Sequence, residues 1–79
     1  MAKAQHRPRY RSLPPMLRAM RNEAKLTQRQ LAENLAVSHV QVHKSESGER
    51  RVDLAEFVDW CLACGVNPEA ALRRFRGLR

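Results

Sequence analysis

The sequence predicts an all-α fold, a compact bundle of five short helices. Three observations carry that expectation. Apolar residues recur at three- and four-residue spacing along most of the 79-residue chain, and no stretch alternates with the period of a strand. Capping residues (Thr27, Ser38, Asp53, Asn67) stand just before four of the periodic stretches. Gly48 and Gly65 stand just behind two of them. The length fits a single domain, and 43% hydrophobic residues are enough for a small core.

Residues 1–12 carry no apolar periodicity and read as a flexible basic arm. Pro14 and Pro15 suit a first helical turn, and Leu13, Leu17, Met20 and Ala24 follow at helical spacing, so a first helix is expected from about Pro15 to Ala24. Thr27 caps a second helix, Gln28 to Leu35, with Leu31, Ala32 and Leu35 inward. Ala36 and Val37 form a turn, and Ser38 caps a third helix from His39 to about Ser45. Asp53 caps a fourth, Leu54 to Cys64, with Leu54, Phe57, Val58, Trp60, Cys61 and Cys64 inward. Asn67-Pro68 opens a fifth, running to about Phe75 with Ala71, Leu72 and Phe75 inward. The domain is expected over 13–76, with residues 77–79 as a basic tail.

The charge is uneven. The net charge is +7, but residues 13–68 balance seven bases against seven acids. The excess lies in residues 1–12, at +4, and in residues 69–79, at +3. Localised positive charge of this kind is a footprint for a polyanion, with nucleic acid the leading candidate. No apolar run approaches the ~18–20 residues that span a bilayer. The basic N-terminus lacks the apolar segment of a secretory signal, and two cysteines are too few for a disulfide framework. The expectation is a reduced, cytoplasmic, nucleoid-associated protein.

Two short helices joined by a tight turn, the second capped by serine, form the helix-turn-helix pattern. Counted from Gln28, Ala32 is fifth, where two steeply crossing helices leave room for a small side chain. Ala36 is ninth, in the turn, and Val42 is fifteenth, the buried position of the second helix. The stretches LRAMRNEAKLTQRQLAENL and VSHVQVHKSESGERR, followed by the apolar helix ending in CGVNP, resemble the lambda-repressor-like, or XRE/Cro-type, DNA-binding domains. The resemblance covers roughly Leu17 to Leu72. Two positions depart from the family pattern. Ala36 stands where glycine is usual, at a cost on the order of 1 kcal/mol if its backbone is left-handed. Ser45 stands where a large apolar side chain is usual, which loosens the third helix.

The resemblance implies a sequence-specific transcriptional regulator, a repressor of bacterial or phage type. It implies a homodimer bound to duplex DNA on half-sites about one helical turn apart. The recognition helix, about 38–45, would present Ser38, His39, Val40, Gln41, His43 and Lys44 to base edges in the major groove. Gln41 suits adenine, Lys44 suits guanine, and Val40 suits a thymine methyl. Gln28, at a helix N-terminus, matches the family's phosphate clamp, and Ser47, Arg50 and Arg51 would lie beside the backbone. Arg21 and Glu46 match a scaffold ion pair that fastens the recognition helix to the first helix. The arm, Lys3 to Arg11, would wrap the duplex or enter its minor groove as arms of related proteins do, with Tyr10 helping it dock.

Other chemistries find little support. Cys61 and Cys64 spell CxxC, but at the C-terminal end of a helix and without a preceding strand, unlike a redox motif. A metal site would need further ligands, and His39 and His43 lie on a different helix. No nucleophile–base arrangement or phosphate-cradling glycine loop is present, so no enzyme, metal or cofactor is expected. The alternative to DNA binding is a protein–protein adaptor, such as an antitoxin or a phage protein that binds a host factor. RNA binding through the basic ends is a third reading.

Overall fold

A computed structural model describes residues 8–78. Five helices of eight or more residues follow a single helical turn: α1 (Pro8–Arg11), α2 (Leu13–Glu23), α3 (Gln28–Leu35), α4 (His39–Ser47), α5 (Leu54–Ala63) and α6 (Pro68–Arg76). No strand occurs among the described residues.

The caps explain the helix starts. Thr27 Oγ1 accepts from the Gln30 N–H at 3.0 Å while the Gln30 side chain accepts from the Thr27 N–H at 2.9 Å. Asp53 and Glu56 close the same reciprocal box, at 2.8 and 3.0 Å. Asn67 accepts from the Glu69 and Ala70 N–H groups, and Ser38 Oγ accepts from the Gln41 N–H at 3.1 Å. Each of these satisfies donors that a helix start leaves unpaired.

The helix ends share one solution. α2, α3 and α5 each close with a bond spanning five residues: Leu26 N–H to the Arg21 carbonyl, Val37 to Ala32, and Val66 to Cys61. The residue before each donor is left-handed: Lys25 at φ 60°, Ala36 at 57° and Gly65 at 71°. Leu26, Val37 and Val66 then turn their side chains against the core. Ala36 thus takes the strained backbone anticipated for it.

Leu17, Met20, Leu31, Val42 and Cys61 form the innermost layer, closed by Met16, Phe57, Trp60, Cys64 and Ala71. Trp60 Nε1 donates to the Leu17 carbonyl at 3.2 Å, joining α5 to α2. Ser45 is buried beside a cavity of about 50 Å³ lined by Leu35, Val42, Val52 and Trp60. Burial pushes both thiols up, and Cys64 reaches about 11, with burial the larger cause and the neighbouring Cys61 adding to it.

Several expectations need correction. α2 begins at Leu13 rather than Pro15, because Leu13 is already part of the core. α4 runs on to Ser47 and is stopped by Gly48 at φ 86°. α5 ends at Ala63, with Cys64 as its cap. Leu54 and Leu72 were expected inward but are 74% and 53% exposed, because the bundle has no further layer outside α5 and α6. Val58 is half-buried. The arm is not uniformly irregular: Pro8–Arg11 form α1, held by the Val52 N–H donating to Tyr10 Oη at 2.8 Å. Residues 1–7, with Lys3 and Arg7, and Arg79 lie outside the described residues.

Two outcomes follow from this packing. Ala36→Gly relieves the left-handed strain and should raise stability by about 0.5–1 kcal/mol in urea denaturation; a loss of stability would refute the strain. The raised Cys64 pKa gives an alkaline dependence. In the folded chain the thiol stays protonated after its unfolded counterpart ionises, so stability is complete below the ordinary value of 9.0 and falls as pH rises toward about 11. A Cys64→Ala variant should show a flatter stability curve over that window.

Candidate nucleic-acid interface

The motif formed by α3 and α4 is held to the rest of the chain by one buried ion pair. Arg21 Nε donates to Glu46 Oε2 at 2.6 Å and Nη2 to Oε1 at 3.1 Å, a two-pronged contact between α2 and α4. The two side chains are 11% and 3% exposed. Arg21 Nη1 also donates to the Leu26 carbonyl at 2.8 Å, and Gln28 Nε2 donates to Glu46 Oε1 at 3.0 Å. Glu46 therefore joins α2, α3 and α4 at one carboxylate. The expected scaffold pair is present, and Gln28 is part of it. The Gln30 N–H is taken by the Thr27 cap, which leaves the first two N–H groups of α3, those of Gln28 and Arg29, outside the capping box.

α4 hides only Val42 and Ser45. Ser38, His39, Val40, His43, Lys44 and Ser47 are exposed, and the spacing of His39, Val40, His43, Lys44 and Ser47 places them on one face. That face carries donors, acceptors and one branched apolar side chain. Lys44 forms no ion pair among the described residues. Ser47 Oγ donates to the Lys44 carbonyl at 3.1 Å, which finishes the helix.

Gln41 differs from its neighbours. It is half-buried, and its Nε2 points away from Ser38, donating to Glu56 Oε2 at 3.4 Å. Arg50 is also engaged: Nη1 lies 2.7 Å from Glu56 Oε2 and donates to the Arg51 carbonyl at 3.2 Å. Arg51 is exposed, with its guanidinium 5.7 Å from the centre of the Tyr10 ring. Of the expected set, then, the structure brings six exposed side chains together on α4 and its cap, with Arg51 in the loop that follows. It turns Gln41 and Arg50 toward α5. Sequence reasoning missed Glu56, whose signal was the Asp53-x-x-Glu56 spelling of a capping box.

Basic side chains border the outer helices too. Arg73, Arg74 and Arg76 are exposed on α6. Arg74 makes a two-pronged contact with Glu23, both bonds 3.0 Å, which holds the Glu23 carboxyl below its ordinary value and ties α6 to α2. No group of three or more His, Cys, Asp or Glu side chains among the described residues is arranged to hold a metal ion. No helix among them is long and apolar enough to cross a membrane.

A capped, buried-pair-anchored helix pair with a polar outer face defines a helix-turn-helix protein. The comparisons agree: the helix-turn-helix domain family matches residues 16–77, so the chain belongs to that family. One of its solved structural neighbours is described as of the XRE type that the sequence resembles. The chain is similar to an XRE-family like protein from Pseudomonas syringae pv. tomato str. DC3000. That match has 38% identity and a TM-score of 0.81, over 86% of this chain and 83% of that one. It is similar also to the clp gene regulator ClgR from C. glutamicum, at 29% identity and a TM-score of 0.75, over 84% and 86% of the two chains. No curated protein matches the sequence. The protein is a DNA-binding transcriptional regulator of helix-turn-helix type.

Removing one partner of a buried pair strands the other's charge. Arg21→Ala should therefore cost about 3 kcal/mol or more in urea denaturation. DNA affinity should fall with the folded fraction and recover at lower temperature. A variant within about 1 kcal/mol of the native chain would show that the pair is not a scaffold.

Proposed function

We propose that α4 enters the major groove of duplex DNA and that Ser38, His39, Val40, His43 and Lys44 read base edges. Gln41 takes part from a half-buried position. The observation that carries this reading is the polar face of α4, exposed on a helix whose only buried residues are Val42 and Ser45. The inner side of α4, with Val42, Ser45 and the Glu46 carboxylate, packs on α2 and α3, which leaves the outer face to a ligand. Lys44 supplies a donor for guanine, Val40 a contact for a thymine methyl, and the two histidines donors or acceptors. Gln28, Ser47, Arg50 and Arg51 supply the phosphate contacts, which fix register without reading sequence.

The same reading makes the protein a repressor in the cytoplasm, bound to the nucleoid. It acts as a homodimer, each copy covering one half-site about one helical turn from the other. Leu62 and Leu78, 62% and 40% exposed, are apolar positions available to a second copy.

Selection from a randomised duplex pool, followed by a salt series on the best site, tests the proposal. The expected result is an enriched two-fold-symmetric sequence bound well above random duplex. Binding with a steep salt dependence and no enriched sequence would refute base readout. Variants separate the roles. Lys44→Ala should relax preference at particular base pairs by about 1–3 kcal/mol. Arg51→Ala should weaken all duplexes alike and lower the salt slope by about one. The same pattern of loss from both variants would overturn the division between reading and anchoring.

A further inference from the structure

Glu56 stands between the recognition helix and the loop that follows it. Its Oε1 accepts from the Asp53 N–H at 3.0 Å and completes the α5 cap. Its Oε2 faces outward and takes two partners: Arg50 Nη1 at 2.7 Å and Gln41 Nε2 at 3.4 Å. The Gln41 contact displaces a local alternative. Ser38-x-x-Gln41 spells a capping box, and the Ser38 half is made, yet the Gln41 amide bonds Glu56 instead of closing it. The boxes at Thr27–Gln30 and Asp53–Glu56 both close. Two residues assigned to the DNA face are thus held by one carboxylate on a neighbouring helix.

We propose that Glu56 is a latch on this interface: it competes with DNA phosphate for the Arg50 guanidinium and so limits affinity for DNA of any sequence. The Arg50–Glu56 pair is open to water, at 38% and 29% side-chain exposure, so holding it is weak and exchange is easy. Phosphate offers the guanidinium the same two-pronged geometry as a carboxylate. While Arg50 is paired, its charge is already neutralised, and moving it to phosphate gains little. Glu56 can let Arg50 go without harm to the helix, because Oε1 alone serves the cap. Arg51, beside it, faces Tyr10 and has no carboxylate partner among the described residues. The two adjacent arginines therefore differ, one restrained and one available. This inference rests on the reading of Arg50 as a phosphate contact.

Glu56→Gln isolates the effect. The amide keeps an oxygen for the Asp53 N–H and places a donor where Oε2 stood, so the cap survives and Arg50 loses its partner. Thermal denaturation checks that the variant folds as the native chain does. Fluorescence anisotropy is then measured on duplexes of mixed sequence over a salt series, for Glu56→Gln, Arg50→Ala and the double variant. The expected result is about 3- to 10-fold tighter binding by Glu56→Gln, with a salt slope steeper by about one. Arg50→Ala alone should weaken binding to every duplex, by less than Arg51→Ala does, and adding Glu56→Gln to Arg50→Ala should then bring no gain. Persistence of the gain without Arg50 would overturn the latch and leave only repulsion between Glu56 and phosphate. Equal or weaker binding by Glu56→Gln would overturn it as well. A native chain that binds no duplex would overturn the interface and the latch together.

Discussion

The Arg21–Glu46 pair is the constraint from which the working geometry follows. It crosses 25 residues of chain and fastens α4, whose wholly buried residues are Val42 and Ser45, to α2, the helix with the most buried residues. Its strength lies in being fully used. The arginine makes three bonds, one of them to the Leu26 carbonyl, beside the left-handed Lys25 that closes α2. The glutamate answers both prongs and also takes the Gln28 amide. A charge removed from water needs this degree of satisfaction, because desolvation otherwise exceeds the attraction. One carboxylate thereby sets how α3 and α4 stand relative to α2. The angle at which the outer face of α4 is offered to a ligand is set by the same contact.

Much of this was legible because the determinants are local. Thr27, Ser38, Asp53 and Asn67 mark helix starts by side chains that reach one turn forward, and all four act as caps. The Arg21–Glu46 contact was legible for a different reason: the family resemblance supplied a long-range pairing that periodicity cannot. What escaped depends on which helix lies next to which. Leu54 and Leu72 satisfy the periodicity of their helices but lie at the outer edge of the bundle. Periodicity locates a face without showing whether a neighbour covers it. The partners of Gln41 and Arg50 escaped likewise, since only packing brings Glu56 beside them. Lys25 gave no signal, because neither glycine nor asparagine marks its left-handed backbone.

Tyr10 shows how a short segment outside the periodic pattern gains a place. α1 is a single turn with no buried residue, too short to persist on its own. It is held from outside: Tyr10 Oη accepts the Val52 N–H, and Arg9 donates to the Arg76 carbonyl. Both contacts reach across more than forty residues, and one ends in the loop after α4. Tyr10 is therefore brought beside Arg51 and not left at a distance from the proposed interface. Among the described residues, Arg9 of this turn is thereby brought to the end of α6, at Arg76.

The division of labour within α4 has a wider consequence. Val42 and Ser45 are its only buried residues, and Ser45 adds little apolar surface. A nine-residue helix with so small a seam is marginal in isolation. Its persistence comes from Ser38 at one end, Gly48 at the other, and Glu46 on its inner side. None of these three belongs to the exposed face formed by His39, Val40, His43 and Lys44. Changes on that face leave the supports intact, so under the proposed reading base preference can alter with little effect on folding. Ser38 and Gln41 are the exceptions, because Ser38 caps the helix and the Gln41 amide faces α5 and bonds Glu56. A change there reaches both the fold and the readout. Under the proposed reading, the half-buried edge of α4 is where specificity and structure are coupled, and its outer face is where they are separate.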